Sequence, residues 1–159
     1  MHIEIQEKLQ HLSAGNFTTP QDVAREVSRF SPVDFRFGIQ WLLAQNNPNL
    51  AQALAEAGLS LHPNSEDILA ISGLLAMTRE DWPLAIELLQ DLVELQQEKV
   101  QPMTCQMLAR AWACNLDIDQ AHKVLQSALK IWPENETLIQ EIDSLALSSL
   151  AMAAASQTH

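Results

Sequence analysis

The chain has 159 residues, 47% of them hydrophobic, which is enough to build one domain with a core. It carries 9 Lys and Arg residues against 20 Asp and Glu residues, a formal net charge of −11. A chain this acidic repels nucleic-acid phosphates and anionic lipid headgroups, so we expect neither as a partner. Glycine is scarce, tyrosine is absent and no segment alternates as a strand would, so the composition favours helix.

Residues 1–31 predict two short amphipathic helices. Apolar residues at helical spacing give each helix one apolar face: Ile5, Leu9 and Leu12 in the first, and Val23, Val27 and Phe30 in the second. Thr19 can cap the second helix, with Pro20 as its first residue. Because Pro20 stands where a repeat would need a small residue, we interpret 1–31 as an N-terminal helical extension. Its first residues lack the apolar run of a secretory signal.

Three segments, 32–65, 66–99 and 102–135, share one pattern of two helices joined by a polar turn. Small residues recur at equivalent places in the second helices: Ala51, Ala85 and Ala121. Asn47 and Asp117 can cap the second helices of the first and third segments. The alanine spacing is 34 residues and then 36, so two residues are inserted in the linker QQEKVQP. We therefore expect the second helix of the middle segment to be about half a turn longer.

The third segment shows the pattern most clearly. It carries, in order, Leu108, Ala109 and Trp112, then Ala121, Leu125 and Ala128, and finally Pro133. This order of large and small residues resembles the signature of tetratricopeptide repeats (TPRs), units of about 34 residues. One departure lies in the first segment, where Gly38-Ile39 inverts the usual large–small order.

The resemblance implies an all-α fold, a right-handed α-solenoid of antiparallel helix pairs within a single domain, 1–159. Each pair must stack on its neighbour, because no pair can bury its apolar face alone. Segment 136–155 then forms a C-terminal capping helix. Its apolar character extends around much of its circumference, so it either frays or offers a self-association surface. Gln140, Glu141 and Asp143 interrupt the apolar run, so we expect no membrane insertion.

In this family the first helices of the repeats line a concave groove that binds peptides. Carrying the groove positions onto this sequence gives Val33, Arg36, Phe37, Gln40, Leu43, Ala70, Ile71, Leu74, Met77, Met103, Gln106, Met107 and Arg110. The predicted groove is largely apolar, and its methionines can adapt to varied side chains. We expect it to hold an extended or helical peptide with apolar anchors. The alternative is that the N-terminal helices or another subunit fill it.

No pattern in the sequence indicates catalysis, a metal or a cofactor. The histidines are scattered without metal-ligand spacing: His2, His11, His62, His122 and His159. We expect His62 and His122 to be solvated. Cys105 and Cys114 fall on one predicted helix about 13 Å apart, too far for a disulfide. Both are expected to be small packing residues, and free thiols fit a cytoplasmic protein.

These features predict a non-enzymatic TPR interaction module, an adaptor or assembly factor with a protein or peptide partner. The chain also resembles class II type III secretion chaperones in length, acidity, three repeats and N-terminal extension. That resemblance implies an apolar translocator segment as ligand. A further hypothesis is a structural subunit that forms homodimers through its end helices.

Overall fold

The computed structural model describes residues 2–15 and 19–157, so the predictions for His159 lie outside the described residues, as do those for the His2 side chain. Within those ranges α-helices follow one another and no strand occurs, which confirms the all-α prediction. The helices are α1 His2–Ala14, α2 Pro20–Glu26, α3 Pro32–Ala44, α4 Pro48–Leu61, α5 Glu66–Thr78, α6 Trp82–Gln96, α7 Pro102–Cys114, α8 Ile118–Ile131 and α9 Glu136–Ser156.

The three predicted repeats make the same turn between their two helices. One residue of each turn has a left-handed backbone: Asn46 with φ of 56°, Glu80 with 59° and Leu116 with 65°. In each turn the next amide donates to the carbonyl five residues earlier, as Asn47 does to Leu42. This shared hydrogen bond closes the first helix and turns the chain into the second. The repeated geometry confirms that the three segments are copies of one structural unit.

The residue after the left-handed one caps the second helix. The side-chain oxygens of Asn47, Asp81 and Asp117 accept hydrogen bonds from backbone N–H groups three residues further on, at 3.3, 3.3 and 3.1 Å. Each bond satisfies one of the amides that a helix start leaves without an intrahelical partner. The caps predicted at Asn47 and Asp117 are thus confirmed, and Asp81 is their equivalent in the second repeat.

The chain divides into two compact units, Met1–Leu75 and Ala76–His159, with the boundary inside α5. The single domain predicted from the sequence stays a prediction. In the first unit, α1 packs on α3 and α2 packs on α4. The predicted apolar faces of both N-terminal helices are buried in one core with residues of α3 and α4.

The inverted order at Gly38-Ile39 has its explanation in this packing. A Cβ atom on Gly38 would lie 2.9 Å from Cδ2 of Leu54 and 3.2 Å from Cδ1 of Leu9. Both leucines are fully buried. The residue at position 38 must therefore be small, because Leu9 of α1 and Leu54 of α4 both pack against the same point of α3.

His62 is not the solvated residue that the sequence predicted. It lies half-buried at the end of α4, where its Nε2 is 2.9 Å from the carbonyl oxygen of Phe30. A carbonyl can only accept, so Nε2 carries the proton. The ring also packs edge-on against Phe35. His62 thus ties the end of α4 to the segment that precedes α3.

In the second unit, α6 packs on α7, α7 on α8, and α8 on α9. The middle repeat's second helix, α6, has 15 residues, one more than α4 or α8, where about half a turn was predicted. A 3-10 turn, Gln97–Lys99, follows it in the inserted linker. Cys105 is buried, and burial raises the pKa of its thiol. Cys114, in contrast, is exposed at the end of α7, so the prediction that it packs in the core is wrong.

The capping helix α9, Glu136–Ser156, has 21 residues and ends one residue beyond the predicted segment. Leu138 and Leu145 are buried in the core of the second unit, whereas residues 146–157 are exposed. By length and composition alone, α9 would suffice to cross a membrane, and this is weak evidence for such a role. Two packed leucines hold its first half on the protein.

We expect Leu116→Asn to raise the free energy of unfolding by about 1 kcal/mol, because a leucine in the left-handed region is strained and asparagine tolerates it. Leu116 is 80% exposed, so the change removes little packing. Asn46→Leu, the converse change in the first repeat, should lower stability by a similar amount. Urea unfolding measures both, and equal stability of Leu116→Asn and the wild type would contradict the assignment of strain.

Ser72 is buried in α5, and its Oγ lacks a hydrogen-bond partner among the described residues. We expect Ser72→Ala to raise the free energy of unfolding by about 1 kcal/mol, because it removes a desolvated hydroxyl. Ser60→Ala, at an exposed position of α4, reports the gain in helix propensity alone. A less stable Ser72→Ala protein would show that the hydroxyl does bind a neighbour or a buried water.

Candidate peptide-binding surfaces

The predicted groove residues of the first unit form a surface on α3 and α5. On α3 they follow the spacing of one helical face: Val33, Arg36, Phe37, Gln40 and Leu43. Val33, Gln40 and Leu43 are exposed, while Phe37 is half-buried and packs against the core. On α5, Leu74 is exposed and Ala70 is half-buried. We call these seven residues the α3–α5 surface.

An ion pair between α3 and α5 sets how the exposed faces of these two helices are aligned. Nη1 of Arg36 donates to Oδ1 of Asp67 at 2.8 Å. Leu43 and Leu74 each lie seven residues, or about 10 Å, further along their helices. Since the first helices of successive repeats run in the same direction in TPR folds, the register brings both leucines to the same height. The surface therefore carries a salt bridge at one end and a pair of exposed leucines at the other.

Ile71 does not belong to this surface, although the sequence placed it in the groove. Its side chain is 5% exposed and lies in the core with Phe35, Ile39 and Ile68. It follows Ala70 by one residue, and a helix turns by about 100° between neighbours. That turn is enough to carry Ile71 from the surface into the core, where no ligand can contact it.

The predicted groove residues of α7 form a second face, Met103, Gln106, Met107 and Arg110, which we call the α7 surface. Met103 is exposed and Met107 is half-buried. Met77, at the end of α5, is half-buried as well. The α7 surface thus presents one fully accessible apolar side chain, fewer than the α3–α5 surface.

The polar residues of the α7 surface already bind a residue of this chain. Nε2 of Gln106 and Nε of Arg110 each donate to Oε1 of Glu141 at 2.8 Å, and Nη2 of Arg110 contacts the same oxygen. Glu141 belongs to α9, which packs beside α7 and α8. Part of the predicted groove is therefore occupied by the capping helix.

Glu141 is ionised more readily than an ordinary glutamate. Its burial opposes ionisation, but the hydrogen bonds from Arg110 and Gln106, together with the charge of Arg110, outweigh burial and lower its pKa. The same carboxylate raises the pKa of the Arg110 guanidinium. The Glu141–Arg110 pair is thus charged throughout the physiological range and fixes α9 against α7.

Sequence reasoning missed both acidic partners, Asp67 and Glu141. Each stands 31 residues after its arginine, Arg36 or Arg110. The starts of α3 and α5, and of α7 and α9, lie about 34 residues apart, so a spacing of 31 places arginine and acid on facing turns of these helices. This common spacing could have revealed both pairs. Because both arginines are paired, neither is free to clamp the terminal carboxylate of a peptide.

The described residues offer no constellation for chemistry on a substrate. No group of three or more His, Cys, Asp or Glu residues comes together there as a metal ligand set would. His122 is half-buried and lines a cleft between α8 and α9 of about 450 Å³, while His11 is exposed. The cleft's only other ionisable residue is Asp119.

We expect Glu141→Gln to lower the free energy of unfolding at pH 7 by about 1 kcal/mol. The folded pKa of Glu141 lies below its unfolded value of about 4.3, so its stabilisation is complete above that value and is lost as pH falls through the folded pKa. The variant and the wild type should therefore converge at low pH.

Urea unfolding between about pH 7 and pH 2.5 measures this convergence. Glu134→Gln, which alters an exposed carboxylate in the loop before α9, serves as the matched control and should show no such pH-dependent difference. A constant gap between Glu141→Gln and the wild type across the whole range would contradict the charged pair.

No protein-family model matches the chain, and no curated protein matches it significantly. Solved structures do match. A MamA structure from Desulfovibrio magneticus RS-1 is 15% identical, with a TM-score of 0.68 over 98% of this chain and 89% of its own. Another MamA structure, MSR-1 C2, is also 15% identical, with a TM-score of 0.66 over 93% of this chain and 86% of its own.

The nearly identical TPR-like repeats of a putative kinesin light chain from Podospora anserina match as well. They are 14% identical, with a TM-score of 0.67 over 98% of this chain and 88% of that structure. Such low identities speak for the fold alone. Together with the three equivalent turns and caps, they show that this chain has a TPR-like fold.

Proposed function

We propose that this protein is a non-enzymatic interaction module, an adaptor or assembly factor, that binds a peptide segment of a partner protein on the α3–α5 surface. One observation carries the proposal: Val33, Leu43 and Leu74 are exposed although each is a large apolar residue. The N-terminal helices pack elsewhere on α3 and α4 and leave these side chains accessible. This accessibility favours a ligand surface over burial by α1 and α2.

The chemistry of the surface indicates the class of ligand. Val33 and Leu43 are ten residues apart on α3, a span of about 15 Å. An extended peptide covers that distance with anchors four or five residues apart, and a helical peptide with anchors ten or eleven residues apart. The Arg36–Asp67 pair leaves the surface without net charge, so we expect apolar anchors rather than a charged motif.

The α7 surface is a separate, smaller candidate surface in the second unit, with Met103 and Met107 as its apolar side chains. Flexible thioether side chains adapt to different ligand shapes. The apolar translocator segment implied by the resemblance to type III secretion chaperones belongs to the same ligand class. The non-enzymatic assignment is supported by the fold of the structural neighbours and by the scattered positions of the ionisable residues.

The test uses peptides selected on the wild-type protein from a random display library, labelled and titrated by fluorescence anisotropy. We expect Leu43→Glu to weaken binding by at least about tenfold, because it places a charge between apolar anchors. Leu61→Glu is the matched control, since Leu61 of α4 is 39% exposed and Leu43 is 38% exposed. Leu61→Glu should change the affinity less than about twofold.

Phe37 is avoided in this test because it packs against the core, so its replacement would also affect folding. Circular dichroism must show equal helicity for both variants. Equal affinity of Leu43→Glu and Leu61→Glu for the selected peptides would contradict the α3–α5 surface as the binding site.

A further inference from the structure

The second half of α9 is an apolar helix end that none of the described residues covers. α8, which runs antiparallel to α9 and contacts it, has 14 residues, while α9 has 21. The last seven residues of α9, about 10 Å, therefore project beyond the start of α8. From residue 146 to residue 157 every described residue of this segment is exposed.

One face of the exposed second half of α9 is apolar and continuous. Leu147, Leu150, Ala151 and Ala154 follow the i, i+3, i+4, i+7 spacing of a single helical face. Leu147 is 69% exposed and Leu150 is 68% exposed. Asp143 stands four residues before Leu147 and closes the face with a charge.

Charge distinguishes this face from most of the molecule. The chain has a net charge of −11, so two copies repel each other at long range. From Ser144 to Gln157, however, no residue ionises. The end of α9 therefore brings no charge of its own to a pair of copies, and Asp119 of α8 lines the cleft beside Leu150.

The order of large and small residues makes the face complementary to itself. In an antiparallel pair whose two-fold axis lies between Leu150 and Ala151, Leu147 of one copy meets Ala154 of the other. Leu150 then meets Ala151. Each leucine packs against an alanine, so the backbones can approach closely. A parallel pair would instead place leucine on leucine and Asp143 on Asp143.

We propose that two copies of this chain associate through these faces, with the C-terminal halves of α9 packed antiparallel. The Asp143 carboxylates of such a pair are separated by 15 helical residues, about 22 Å, which exceeds the Debye length of about 8 Å at physiological salt. From Leu147 to Ala154 the face is about 10 Å long, too small for the ~800 Å² per partner of a standard interface. The dimer is therefore weak and concentration-dependent.

A membrane is the other occupant that an apolar helix could have. The uncharged part of α9, 144–156, has 13 residues, about 20 Å, whereas a bilayer core is about 30 Å thick. The preceding turn is fixed to α7 through Glu141 and Arg110. Insertion would have to break that pair, so the geometry favours a second copy over a bilayer.

Sedimentation velocity of the full chain from about 5 to about 500 μM tests the proposal. The wild type should shift from monomer to dimer, and Leu147→Glu should weaken the dimer by at least about tenfold. Met152→Glu is the matched control: Met152 is 55% exposed on the same helix half, about 140° around the axis from Leu147. It should change the dissociation constant less than about twofold.

Exchanging the large and the small residue at positions 147 and 154 tests the antiparallel register. Leu147→Ala and Ala154→Leu should each weaken the dimer, and the double variant should restore it, because the large and small residues have only changed places. Circular dichroism and thermal unfolding must show that all variants keep the wild-type fold.

Three results would overturn the proposal. A wild type that stays monomeric at every concentration would do so, as would equal weakening by Leu147→Glu and Met152→Glu. The third is a monomeric wild type that co-sediments with neutral phosphatidylcholine vesicles and loses this binding in Leu147→Glu. That outcome would assign the face to a lipid surface instead.

Discussion

The close approach of neighbouring helices at small residues is the constraint on which the rest of this structure depends. Ala51, Ala85 and Ala121 stand at equivalent places in the three second helices, and each is fully buried. A larger side chain there would separate the helices and open the core. The first helices carry exposed side chains on another face, such as Val33 on α3 and Met103 on α7.

Two ion pairs then determine which of these outward helix faces remains uncovered. Arg36–Asp67 joins the first helices of two successive repeats, and Arg110–Glu141 joins the first helix of the third repeat to the capping helix α9. Both pairs use cations that a peptide could otherwise bind. On α7 the partner comes from α9, so the capping helix itself occupies polar positions of the surface. On α3 the apolar residues Val33 and Leu43 remain exposed. The α3–α5 surface is thus the face whose large apolar side chains the described residues leave exposed.

The sequence predicted the features that depend on local order, such as the caps at Asn47 and Asp117 and the lengthened end of α6. Those signals repeat at fixed spacing, and each involves residues close in the chain. It failed where the outcome depends on a distant partner. Ile71 is buried although Ala70, one 100° step before it, lies on the surface. His62 contacts the carbonyl of Phe30, 32 residues earlier. Cys114 is exposed because α7 ends there. Periodicity alone does not contain that information.

The central claim is that a peptide binds the α3–α5 surface. Chemical-shift mapping of methyl groups with a selected peptide tests it most directly, because it locates the ligand without altering the protein. Titration of protein labelled at Val and Leu methyls should shift Val33, Leu43 and Leu74, while Leu61, of similar exposure to Leu43, should stay unchanged. Shifts concentrated on Leu61, or on the α9 residues Leu147 and Leu150, with Val33, Leu43 and Leu74 unmoved, would contradict it.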